Sequence, residues 1–181
     1  ANHQDSFGPL FERNLAKAQQ HKYNAVYLFS DVMGFTTATE SYGDEKIAAL
    51  IMTHSNMVAK LVKENQGHID AYGGDLIFAF FPFDETEEGA RAQAITHAMK
   101  TAVGILEIVE QNNSAAEFKV QFGDYAYKVG IGLHIGSSVV AHLGIKECKT
   151  SIGSAINRAS RVEGVAHKLG DDYKPITITE D

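Results

Sequence analysis

A chain of 181 residues, 44% of them hydrophobic, is long enough for one domain with a proper core and too short for two. Its formal charge of -7 excludes a general nucleic-acid surface, because a groove that tracks phosphates needs a basic excess; any phosphate site must be local. A lone cysteine, Cys148, forms no internal disulfide and fits a reducing compartment, and no apolar run reaches the ~20 residues that cross a bilayer.

The first 22 residues are polar and lack the basic and apolar regions of a signal peptide. Phe7, Leu10, Phe11, Leu15 and Ala18 recur at helical spacing, which predicts a helix or linker leading into a domain over 23–181. Ala25-Val-Tyr-Leu-Phe-Ser30 is an unbroken apolar run, the pattern of a strand buried on both faces, and it ends at Asp31. A carboxylate at the mouth of such a strand is costly unless it meets a cation or donors.

Ile47, Leu50, Ile51, Val58, Leu61 and Val62 predict a helix over 44–66, capped by Asp44 and stopped by Gly67. Strands over 68–72 and 76–81 then flank a tight Gly73-Gly74-Asp75 turn, and Pro82 ends the second. A second helix over 87–111 is expected to bury Ile95, Met99, Ala102, Leu106 and Val109, and 112–124 is read as a connection. Strands over 128–134 and 138–143 are separated by Gly136. A short strand near Thr150, a helix over 157–169 and a strand over 175–179 complete the chain. This order predicts an α+β fold, a ferredoxin-like βαββαβ palm with extra strands and helices on one face.

That topology brings Asp31 and Asp75 to neighbouring strand ends. Like charges so close raise one another's pKa unless a divalent cation neutralises them, and Mg2+ or Mn2+ suits carboxylate oxygens while leaving positions for phosphate. Asn157 and Arg161, four apart on one helix, aim an amide and a guanidinium together at an oxygen-rich ligand. Taken singly, each has a blander reading: Asp31 and Asn157 as helix caps, Asp75 as a turn residue, Arg161 as a surface cation. The eight histidines show no zinc spacing, and Cys148 has no histidine beside it to activate it.

The motifs Phe29-Ser-Asp31-Val-Met-Gly-Phe-Thr36, Gly73-Gly-Asp75, Val129-Gly-Ile-Gly-Leu-His-Ile-Gly136 and Thr150-Ser-Ile-Gly-Ser-Ala-Ile-Asn157-Arg-Ala-Ser-Arg161 together resemble the catalytic domain of class III nucleotidyl cyclases, over roughly 23–179. The resemblance implies conversion of ATP, or GTP as the alternative, to a 3′,5′-cyclic nucleotide and pyrophosphate. Two metal ions per site would be held by Asp31, Asp75 and the carbonyl of Val32, with backbone N–H groups of Gly34, Phe35 and Thr36 and the Gly74 turn at the triphosphate. Asn157 and Arg161 would orient the ribose and stabilise charge on the α-phosphate. It further implies a head-to-tail homodimer in which one chain's aspartates face the other's Asn157 and Arg161.

Three positions depart from the pattern. Ala71 stands where a lysine or glutamate reads the base, whereas Thr150 at the partner position resembles the threonine that many bacterial adenylyl cyclases carry in place of aspartate, a hydroxyl that discriminates weakly. Asp70 and Tyr72, alternating with Ala71, are expected to face the other way. Lys146 replaces an arginine that contacts phosphate, keeping the charge without the bidentate fork. A lysine that many members carry on a later hairpin has no counterpart before Asp181, so the domain is expected to be cut short or to lack that hairpin. These departures keep open a weakly active or inactive nucleotide-binding regulatory domain. The Gly73-Gly-Asp75 turn is also similar to that of diguanylate cyclases, but Leu76 replaces their glutamate. A cytoplasmic setting is expected from the need for ATP and the absence of export signals, and the polar first 22 residues leave room for a linker from an upstream sensor or membrane module.

Overall fold

Strand β1 (Lys22–Val32) is the central strand, and Ala25 to Ser30 along it are all buried. The computed structural model describes residues 7–143, 148–166 and 175–180. Around β1 run α1 (Phe7–Gln20), α2 (Phe35–Tyr42), α3 (Asp44–Glu64), β2 (His68–Gly73), β3 (Leu76–Phe83), α4 (Ala90–Ser114), α5 (Ala116–Phe122), β4 (Val129–Leu143), β5 (Cys148–Ile152), α6 (Ser154–Ala166) and β6 (Ile176–Glu180). The strands form one sheet in the order β2-β3-β1-β4-β5, with β6 paired to β4. Among the described residues only the β4–β6 pairing is parallel. The expected α+β architecture, with β1-α3-β2-β3-α4-β4 at its heart, is present.

Alternate residues of β1 serve two faces. Val26, Leu28 and Val32 join Ile47, Val58 and Val62 of α3 and Ala98, Ala102 and Ile105 of α4 in the larger core. Ala25, Tyr27 and Phe29 meet Phe78 of β3 and Ala155 and Ala159 of α6. Helices therefore cover both faces, not one. Close approach explains how α6 fits: Gly132 of β4 lies opposite Phe29, and a Cβ there would stand 2.3 Å from the backbone O of Ala159 and N of Glu163.

Other expectations shift for local reasons. β4 runs unbroken through Gly136, which pairs with Ala25 in a ladder that extends from Val129 to Val139. β3 continues through Pro82 because β2 pairs with it only as far as Phe80; at Pro82 the missing N–H costs no bond on that side. Gly43, not Asp44, precedes α3, with no side-chain cap. The buried stripe of α4 is Ala94, Ala98, Thr101, Ala102, Ile105 and Val109, while Ile95, Met99 and Leu106 are only partly buried. Small residues suit that stripe because α3 and α4 pack closely, with Gly104 against Leu61. The connection over 112–124 holds the end of α4 and all of α5, whose Phe118 and Phe122 are buried one turn apart.

Candidate active site

Asp31 is the penultimate residue of β1. Ser30 pairs with Ile77, so one step further along the two strands stand Asp31 and Leu76, with Asp75 just before Leu76 in the β2–β3 turn. Gly74 takes φ 68° there, a left-handed conformation that permits the tight reversal. Both carboxylates are half-buried, and the partner of Asp31 in β4 is Gly130, which has no side chain to crowd it.

The segment after Asp31 is shaped to present N–H groups. Met33 N donates to Lys128 O at 2.9 Å, Gly34 adopts φ 70°, and α2 begins at Phe35. Ala38 N bonds to Gly34 O at 3.0 Å, so the N–H groups of Phe35, Thr36 and Thr37 precede the first intrahelical bond. They lie at the positive end of the helix, which begins four residues after Asp31. Among the described residues no three His, Cys, Asp or Glu side chains gather. Asp31 and Asp75 carry carboxylates and Val32 a backbone carbonyl, donors of the hard-oxygen kind that Mg2+ or Mn2+ takes.

Asn157 and Arg161 are both on α6. This helix starts at Ser154, three residues earlier than expected, and Asn157 N bonds to Gly153 O at 3.4 Å. Asn157 is therefore inside the first turn and does not cap the helix. Ala155, Ala159 and Glu163 form the buried stripe of α6, whereas Asn157 and Arg161 share its exposed face, turned away from the sheet. His134 lies on the covered side, hydrogen-bonded to Thr179 (Nδ1 to Oγ1, 2.8 Å); burial, then the nearby Arg158 charge, pushes its pKa down.

Ala71 is exposed on β2 opposite Phe78, whose own β1 partner is Phe29, two residues before Asp31, and Thr150 pairs with Ala141 in the β4–β5 ladder. Lys146 lies outside the described residues. Asp70 corrects an expectation. The β2–β3 register shifts between Ile69 and Ala71, and the resulting bulge turns the Asp70 carboxylate toward β5. Its Oδ2 accepts from Ser151 N and its Oδ1 from Ser151 Oγ, both at 3.1 Å. Ser151 Oγ also meets the hydroxyl of Tyr23, and Tyr27 donates to Ser138 Oγ nearby on the same face.

A family model described as the adenylate and guanylate cyclase catalytic domain matches residues 17–171. The chain belongs to that family. This cyclase domain is 29% identical to adenylate cyclase 1 of Rhizobium meliloti over 79% of the chain and 21% of the relative. It is 30% identical to an adenylate cyclase of Anabaena cylindrica over 84% of the chain and 29% of the relative. The domain thus spans less than a third of the length of either. A bacterial light-regulated adenylyl cyclase structure superposes with a TM-score of 0.72 at 21% identity, over 87% of this chain and 76% of that one.

Within the cyclase domain, sequence reasoning missed two residues that shape the site. Gly132 had a readable signal, since glycine inside an apolar strand marks a close backbone approach, although Gly130 and Gly136 of the same strand carry the same mark. Ser151 had none, because its contact with Asp70 depends on a bulge that strict alternation conceals.

Proposed function

We propose that this cyclase domain converts ATP to 3′,5′-cyclic AMP and pyrophosphate in a site shared between two head-to-tail copies. The ribose 3′-oxygen bonds to the α-phosphorus, the bond from that phosphorus to the bridging oxygen breaks, and pyrophosphate leaves with the electron pair; the 3′-hydroxyl proton passes to solvent. Asp31 and Asp75, with the carbonyl of Val32, hold two Mg2+ or Mn2+ ions, which supply Lewis acidity when bound. The N–H groups after Gly34, at Phe35 and Thr36, receive the triphosphate beside the Gly74 turn, with Lys146 adding charge. Asn157 orients the ribose, and Arg161 offsets the charge that grows on the α-phosphate. Thr150 and Ala71 line the base end.

The observation that carries this reading is that Asp31, the turn bearing Asp75 and the start of α2 all follow from the same end of the β1–β3 ladder. The shared site draws support from the exposed placement of Asn157 and Arg161, on a helix face turned away from the sheet that carries Asp31. The small Ala71 favours one second reading, relaxed base choice with GTP accepted. A cytoplasmic setting and control by an upstream module are part of the same proposal; no helix among the described residues is long and apolar enough to cross a membrane.

The test is a product assay at high protein concentration, with ATP and GTP offered separately under Mg2+ and under Mn2+. Cyclic AMP is expected, and Asp31→Ala should abolish it. Product surviving that change would sink the metal role, and no product from the unaltered chain would leave a regulatory nucleotide-binding domain.

A further inference from the structure

The two strands at the ends of the sheet path, β2 and β5, are separated by β3, β1 and β4. In a flat sheet four interstrand steps would hold them roughly 19 Å apart. Nevertheless, the Asp70 carboxylate of β2 lies 3.1 Å from both N and Oγ of Ser151 on β5. The sheet therefore curls until its edges approach across the face that carries Asp31, and Asp70 is where they join.

The join is specific in what it holds. Val140 pairs with Ser151, but Val140 N donates to His21 O, so this step of the β4–β5 ladder is the one whose N–H groups point outward. Ser151 N–H faces the open edge, and Asp70 takes it. That N–H belongs to the peptide linking Thr150 to Ser151, so the carboxylate fixes the plane of the Thr150 carbonyl group as well. Ser151 is buried at 7% exposure, with its hydroxyl held from a second side by Tyr23. Two residues later the chain enters α6 through Gly153, where an added Cβ would stand 3.0 Å from Ser138 Cβ and 3.1 Å from Ser137 O. Between Ser151 and Asn157 there is accordingly little slack.

We propose that Asp70 is a positioning residue: by clasping Ser151 it sets Thr150 on one side and the first turn of α6, with Asn157, on the other. It touches neither phosphate nor ribose. The proposal rests on the cyclase reading of Thr150 and Asn157 for its consequence, but the clasp itself is a matter of hydrogen bonds. The competing account is that Asp70 merely blunts an exposed sheet edge.

Hydrogen exchange and kinetics on the whole chain separate the two. Asp70→Ala should raise exchange at the Ser151 amide and through Ala155 to Arg158, with β1 amides unchanged. It should lower ATP turnover about tenfold, as displaced positioning groups do, and narrow the ATP-to-GTP preference. Asp70→Asn, which keeps one acceptor, should recover most of both. Faster exchange confined to Ser151, or lower thermal stability with turnover and preference intact, would overturn the proposal. If the unaltered chain makes no product, the cyclase reading fails, whereas unchanged exchange across α6 in Asp70→Ala defeats the clasp regardless.

Discussion

The two faces of the sheet are built on opposite principles. The face under α3 and α4 is a broad apolar core in which Leu28, Val58, Ile77, Ile105 and Ile131 are fully buried. The face under α6 is narrower, with six buried residues in its cluster among those described, and is threaded with hydroxyls from Tyr23, Tyr27, Ser138 and Ser151. The first face gains its stability from area removed from water. The second gives up area to place polar groups, and it relies on glycine and alanine to bring a helix close enough to present them. On the proposed function, stability and chemistry are thereby divided between the two sides of one strand, β1.

Crossed substitutions should expose the division. Gly132→Val puts side-chain atoms where the backbone of Ala159 and Glu163 already lies, so α6 must lift. We expect at least a hundredfold loss of cyclase activity, since misplacement of about 1 Å already costs that much. Ile105→Ala on the other face should cost 2–5 kcal/mol in denaturant unfolding, as large-to-small changes in cores do, with turnover per folded molecule nearly unchanged. Equal effects of the two variants on both readouts would erase the distinction.

A smaller effect sharpens it. His54 is buried in α3 at 1% exposure, its Nδ1 3.2 Å from the hydroxyl of Tyr127, which also accepts from Asn112 Nδ2 at 2.8 Å. Burial pushes the His54 pKa down to about 4 and that of Tyr127 up to about 12. Because the folded pKa of His54 lies below its unfolded value near 6.5, the folded state resists a proton that the unfolded chain accepts. The stability it contributes is intact above pH 6.5 and is lost as pH falls toward 4, on the order of 3 kcal/mol in all. Unfolding free energies measured across that window should show the slope, and His54→Gln should flatten it. An unchanged slope would place the titration elsewhere.

How much of this was legible in the sequence follows from the same division. The run Ala25 to Ser30 announces β1 because a strand covered on both faces needs no polar alternation. The Gly73-Gly74-Asp75 turn and the Asn157/Arg161 spacing carry their geometry in the chain itself, as positive φ at Gly74 and one helical turn. What escaped depends on partners distant in sequence. The small-residue stripe of α4 is set by how close α3 comes, and α5 is anchored in part by Phe122 meeting Tyr42 of α2, with ring centroids 5.3 Å apart. The Asp70 bulge breaks a period of two at one residue, which no pattern of apolar positions records.

The central claim is that the carboxylates on β1 and the β2–β3 turn work with Asn157 and Arg161 of a second copy. Mixing Asp75→Ala chains with Asn157→Ala chains, each inactive alone, tests it most directly. The shared site predicts that the mixture regains activity, since each mixed pair contains one site with both halves intact. Proven mixed dimers that form no cyclic nucleotide, under conditions where the unaltered chain does, would contradict it.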